Sequence, residues 1–185
     1  MDIKEFFQLS AGKWFSQRTS HHLPLEQAEN GKSEIRIEIL SPDDAATINL
    51  CQQYGIDAGL VWGGARVTWD GTMEWDKVKK AGSSILIPIA DPEKPNQGKL
   101  LRDVGYAGKA GIAGRYILGN DDALTLISSD ETMYSEERIW FASPNLRLRT
   151  CILKRADGFS NASFCSEIRM AIPQPQATAA DAANA

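Results

Sequence analysis

Arg147 and Arg149 are the residues whose type and spacing point most directly to chemistry. They lie in the stretch 136–150, which reads as two β-strands joined by a tight turn at Pro144-Asn145. Side chains alternate along a strand, so Arg147, Arg149 and Cys151 share one face and Leu148, Thr150 and Ile152 the other. Two guanidinium groups on one face match carboxylates or phosphates bidentately, and the pair could hold a ligand with two acidic arms. The same pattern also fits a solvated sheet face whose arginines pair with glutamates across strands. The last predicted strand poses the same choice, with Cys165, Glu167 and Arg169 on one parity and Phe164, Ser166, Ile168 and Met170 on the other. If the polar parity faces an interior, Arg and Glu are buried together, which is costly unless a ligand or partner charge answers them.

The remaining candidates are fewer. Trp14, Trp62, Trp69, Trp75 and Trp140 are core residues by default. Trp69, in the alternating run Val67-Thr68-Trp69-Asp70-Gly71-Thr72-Met73, could instead line a cavity and stack on a flat ligand. His21 and His22 are adjacent on a predicted strand, leave opposite faces and cannot clasp one metal, so no metal site is expected. Gly111-Ile112-Ala113-Gly114 lacks the following helix that would make it a phosphate loop. No G-x-S-x-G elbow is present, which argues against a serine nucleophile. Cys51, Cys151 and Cys165 are widely spaced with no C-x-x-C motif, fitting reduced thiols.

The elements that position these residues follow from periodicity. A chain of 185 residues is one domain by length and can bury a core without staples. Asp2 and Glu5 have the spacing of a capping box ahead of Ile3, Phe6 and Phe7, which predicts a short helix ending near Gly12. Strands are predicted from about Lys13 to Leu23 and from Ser33 to Leu40, the second as a half-buried edge or hairpin, with a polar turn over 24–31. Ser41-Pro42-Asp43-Asp44 reads as a helix start with Ser41 as N-cap, carrying Ala45, Ile48 and Cys51 to a stop at Gly55. Everything after Gly59 reads as a meander of strands: Leu60–Thr72, Ser83–Ala90, Lys99–Ala107, Ile112–Leu118, Ala123–Ser129, Thr132–Ala142, Leu146–Lys154 and Ala162–Ile172. Connections this short require antiparallel neighbours. About ten evenly spaced strands favour a closed up-and-down antiparallel β-barrel with room for one small ligand, a β-sandwich being the alternative. The all-β domain is predicted over 1–172, and 173–185, rich in Ala, Gln and Pro, as a disordered tail.

Charge and composition exclude other classes. The net charge is −4 with no basic stripe, which disfavours nucleic acid and anionic membrane as partners. No run approaches a membrane span and no leader pattern opens the chain, so a cytoplasmic location is expected.

Four stretches carry a resemblance. These are Ser10-Ala11-Gly12-Lys13-Trp14-Phe15-Ser16-Gln17-Arg18-Thr19-Ser20-His21-His22, Trp69-Asp70-Gly71-Thr72-Met73, Glu137-Arg138-Ile139-Trp140-Phe141-Ala142-Ser143-Pro144-Asn145-Leu146-Arg147-Leu148-Arg149, and Ser166-Glu167-Ile168-Arg169. Together they resemble the S-type phycobiliprotein lyases of cyanobacteria, the CpcS/CpeS type, over nearly the whole chain from Ile3 to about Ile172. The resemblance implies a barrel of lipocalin or fatty-acid-binding type. It implies an enzyme, a bilin lyase, that binds an open-chain tetrapyrrole such as phycocyanobilin as substrate, with no tightly bound cofactor. The bilin is delivered to a cysteine of phycocyanin and allophycocyanin subunits, and a second lyase subunit or a homodimer is left open. Ligand-binding roles carry over onto Arg18, Trp69, Arg147 and Arg149, and catalytic carboxylates onto Glu167 and onto Glu136 or its neighbour Glu137.

The chemistry of the residues fits that implication. A bilin is long, apolar and conjugated, with two propionates and a row of pyrrole NH groups. Arg147, Arg149 and Arg18 can hold the propionates, each charge-assisted bond contributing roughly 1.5 to 3 kcal/mol. Trp69 offers a face, and a carboxylate near the pyrrole nitrogens favours the protonated chromophore. The acceptor cysteine would be the nucleophile, and the lyase would contribute proximity and a fixed bilin conformation. The competing class is a lipocalin that carries a carboxylated hydrophobe without transfer. A third is an assembly factor that binds subunits without chromophore.

Overall fold

A computed structural model of the chain describes residues 1–75, 78–103 and 113–170. Helix α1 (Ile3–Ser10) starts where the capping box predicted. The Asp2 carboxylate accepts the Glu5 N–H at 2.8 Å, and the Glu5 carboxylate accepts the Asp2 N–H at 2.8 Å. Ile3, Phe6 and Phe7 form its buried stripe. Ten strands follow: β1 (Gly12–His22), β2 (Gln27–Leu40), β3 (Gly64–Met73), β4 (Lys80–Ala90), β5 (Gln97–Arg102), β6 (Gly114–Leu118), β7 (Leu124–Ser129), β8 (Met133–Ser143), β9 (Leu146–Arg155) and β10 (Ser160–Arg169). Each pairs antiparallel with its sequence neighbour, and β1 pairs with β10 over Trp14–His22, closing the ring. The closed ladder rules out the sandwich and leaves β2 inside the ring rather than at an edge.

Several boundaries differ from the sequence reading; the strand expected from Leu60 begins only at Gly64, after a 3-10 turn at Ala58–Leu60. The turn expected over 24–31 shrinks to one 3-10 turn, Leu23–Leu25, with Glu26 left-handed at φ 51°, and β2 begins at Gln27. The extra strand residues pair with β1, and Glu29, opposite Ser20, turns inward. Helix α2 (Ala45–Gln53) starts later than Ser41-Pro42 suggested, because Asp44 supplies the cap by accepting the Ala46 N–H at 2.8 Å. Its buried face is Thr47, Leu50 and Cys51 rather than Ala45 and Ile48. The strand expected over 99–107 ends at Arg102, and residues 104–107, like the tail 173–185, lie outside the described residues.

Two apolar layers position the interior. α1 closes one end of the barrel, with Phe6 and Phe7 packed among Trp14, Ile35, Leu100, Leu118 and Leu124, and Phe6 against Phe141 at 5.3 Å between ring centroids. α2 lies outside, with Leu50 and Cys51 against Ile87, Leu101 and Val61, covering the outward apolar parity of β4 and β5. Arg169 ties the last strand to the plug. Its guanidinium donates to the carbonyls of Leu9 and Ala11 at 2.6 Å each, satisfying groups that a helix C-terminus leaves without partners.

A charged pocket inside the barrel

Alternation along β9 and β10 resolves toward the polar interior. Phe164 and Ile168 are 44 % and 51 % exposed on the outside, whereas Arg147, Cys165 and Glu167 are buried and Arg149 is partly buried. Arg147 and Glu167 are direct cross-strand partners. Nε and Nη2 of Arg147 both approach Glu167 Oε2 at 2.6 Å, Arg149 Nη2 lies 3.0 Å from Oε1, and the Ser16 hydroxyl donates to Oε1 at 3.5 Å. Burial alone would raise the Glu167 carboxyl, but Arg149 and Arg147 together hold it below its ordinary value. Burial pulls the Arg147 guanidinium down, opposed by Glu167. The Trp14 ring, itself fully buried, takes the Arg147 guanidinium at 4.9 Å and that of Arg169 at 4.2 Å, while its Nε1 donates to the Ser10 carbonyl at 2.8 Å.

A cavity of about 610 Å³ lies above α1. Its apolar wall comes from Phe6, Phe7, Ile35, Ile37, Val67, Leu86, Leu124, Leu126 and Ile139. Among the described lining residues four carry a guanidinium, Arg18, Arg102, Arg147 and Arg149, and one a carboxylate, Glu137. A volume of this size, mostly apolar with a few convergent polar groups, suits one small-molecule ligand, and the wall prefers an anionic one. Glu137 lies between two cations: its Oε2 is 3.5 Å from Arg149 Nη1 and its Oε1 4.0 Å from Arg102 Nη2.

The candidates predicted from sequence are distributed as follows. Arg147 and Arg149 line the cavity, with Glu167 directly behind them. Trp69 is 39 % exposed on the cavity wall, its ring lying over Gly82, where a Cβ would stand 2.5 Å from Cζ2. Arg18 is at the exposed rim, donating to Met73 Sδ at 3.5 Å. Glu136 does not join them: it sits on the outer parity of β8 and accepts from the Tyr134 hydroxyl, and the inward carboxylate is its neighbour Glu137, only 8 % exposed. Sequence reasoning did not single out Arg102. The signal available was its parity with inward Leu100 at the end of β5. Among the described residues no three His, Cys, Asp or Glu side chains gather as a metal would need, and no helix is long and apolar enough to cross a membrane.

A closed ten-stranded barrel with a plugging helix, an apolar lumen and an arginine-rich wall defines a binder of a single amphiphilic, acidic ligand. The chain belongs to the CpeS-like protein family, whose model matches residues 2–170. It is 63 % identical to the chromophore lyase CpcS/CpeS of Thermosynechococcus vestitus, over 95 % of this chain and 96 % of that one. It is 49 % identical to the phycocyanobilin lyase subunit CpcS of a Picosynechococcus species, over 99 % and 93 %. The solved S-type phycobiliprotein lyase of Guillardia theta superposes with a TM-score of 0.84 at 31 % identity, covering 93 % of this chain and 94 % of that one.

Proposed function

We propose that this chain is a bilin lyase: it holds an open-chain tetrapyrrole, phycocyanobilin, in the barrel and presents it to a cysteine of phycobiliprotein subunits. The observation that carries the reading is the pairing of an apolar cavity with the Arg147–Glu167–Arg149–Glu137 network on one wall. Arg147, Arg149 and Arg18 take the propionates, Trp69 stacks on the conjugated system, and Glu137 supplies negative charge beside the pyrrole NH groups, while Glu167 holds Arg147 and Arg149 from behind. Glu137 takes the acidic role first considered for Glu136, because it is the one of the pair that faces the lumen.

The acceptor thiol adds across the ethylidene double bond of the bilin, sulfur to one carbon and its proton to the other, and nothing leaves. The barrel fixes conformation and excludes water from the reacting face, turning a slow bimolecular addition into an oriented one. Phycocyanin and allophycocyanin subunits are the acceptors in this reading, with bilin as substrate rather than resident cofactor. Three free cysteines and the reducing chemistry of the acceptor thiol support a cytoplasmic setting.

Co-expression of this chain with a phycocyanobilin pathway and single apo-subunits tests the reading. The expected result is bilin fluorescence on the subunit after denaturing electrophoresis, lost when its acceptor cysteine is replaced by alanine. Acceptors that stay colourless while the chain binds bilin would reduce it to a carrier.

A further inference from the structure

We propose that Arg102 is a further ligand-binding residue, which receives one carboxylate arm of the tetrapyrrole across the lumen from Arg147 and Arg149. The inference rests on the reading of the cavity as a bilin site. β6 and β7 separate β5 from β8 in the ring, so the 4.0 Å approach of Arg102 to Glu137 runs through the barrel interior rather than along the ladder. Arg102 therefore reaches the same carboxylate as Arg149, from a different wall.

The backbone that carries Arg102 is fixed from two sides. Its carbonyl accepts the Tyr54 hydroxyl at 3.0 Å, a bond from the end of α2. The Asp103 carboxylate accepts the Ile85 N–H at 2.7 Å and the Ser84 hydroxyl at 3.1 Å, clamping the end of β5 to β4. The side chain is 13 % exposed and lines the cavity. A partly buried guanidinium on a braced backbone is a preorganised anion site.

The distances separate two kinds of ion pair. Glu167 is gripped at 2.6–3.0 Å by Arg147 and Arg149, whereas Glu137 stands 3.5 Å from the Arg149 guanidinium and 4.0 Å from that of Arg102. An incoming carboxylate that enters the lumen meets Arg149 and Arg102 on either side of Glu137. The two propionates of a bilin project side by side from its central rings, and two arginines with one carboxylate between them can take one arm each. Glu137, released from both, then turns to the pyrrole N–H groups.

Titration of phycocyanobilin and of its dimethyl ester into wild type, Arg102→Gln and Arg102→Lys separates the outcomes. Arg102→Gln is expected to weaken diacid binding by about ten- to a hundredfold and to leave the diester within about twofold of wild type, because the lost interaction is with a charge the ester lacks. Arg102→Lys, which keeps the charge without the planar fork, is expected to fall between them and carries the same acid–ester comparison if the Gln variant does not fold. Unchanged diacid affinity overturns the assignment. An equal loss for diacid and diester overturns it too, by making Arg102 a scaffold for Glu137. Wild type that binds no bilin would instead remove the functional reading on which the assignment stands.

Discussion

Arg147 and Glu167 face each other directly across the β9–β10 ladder, and the fully buried carboxylate receives both Nε and Nη2 of the guanidinium at 2.6 Å. The pair is as much a part of the folded interior as of the ligand wall. Replacing Glu167 with Gln leaves Arg147 a buried cation with a neutral partner, and we expect a loss of about 3 kcal/mol in urea unfolding. A difference under about 0.5 kcal/mol would place the pair energetically at the surface.

The same carboxyl gives stability a pH dependence. Its folded value lies below the ordinary 4.5, so its contribution is complete above 4.5 and fades as pH falls through the lower folded value. The gap in melting temperature between wild type and Glu167→Gln should therefore narrow on acidification. A gap that stays constant down to about pH 3 contradicts the linkage.

Arg147 and Arg149 separate in their expected effects. Sequence reasoning treats both as ligand residues, but Arg147 is 5 % exposed inside the ion pair and Arg149 is the more open of the two. Arg149→Gln should lower bilin affinity by about one to two orders of magnitude with a small change in melting temperature. Arg147→Gln should lower both. Equal affinity in all three proteins, measured by bilin titration with a circular-dichroism melt, would take these residues out of the site.

Gly82 sets the pose of Trp69. A Cβ there would meet Cζ2 at 2.5 Å, so Gly82→Val should push the indole off the wall and weaken bilin binding several-fold. In a Trp69→Ala background the same substitution should cost nothing further. Additive losses would mean that Gly82 acts by another route.

Bilin binding should be non-covalent. Burial raises the thiols of Cys51 and Cys165, which makes both poor nucleophiles. Serine at all three cysteines should preserve transfer even where Cys51 and Cys165 cost packing. Bilin fluorescence that stays on this chain after denaturation would show a covalent carrier step.

Ten strands, two helices and a ligand-sized interior were legible in the sequence because period-2 alternation and turn residues are local signals. The phase of β8 was not. Ile139-Trp140-Phe141 are three apolar residues in a row, and a bulge follows between Phe141 and Ser143, so nothing nearby decides whether Glu136 or Glu137 points inward. The neighbours decide it, since Glu137 pairs with Cys151 on the inward parity of Arg147 and Arg149. The polarity of β10 was open for the same reason: Phe164 and Ile168 outside with Glu167 inside inverts the usual burial order, and only ring closure fixes it. Arg102 was not singled out as a site residue because Glu137, which it approaches, comes from a strand that is not its neighbour, and parity with Leu100 alone is a weak signal. Ser41-Pro42 misplaced the start of α2 because Asp44, three residues on, is an equally good cap.

The closed ladder and the helix at one end of it also bear on the order of events. Among the described residues the ladder closes on itself, so a guest enters from an end, and Phe6, Phe7 and Ser10 of α1 occupy one of them. Among the described residues, exposed Arg18 and half-exposed Trp69 mark an approach to the cavity for chromophore and acceptor thiol. A subunit docked at that approach first would block the chromophore's way in, so the expected order is pigment first, protein second. Excess apo-subunit added to an empty barrel should accordingly slow turnover rather than speed it.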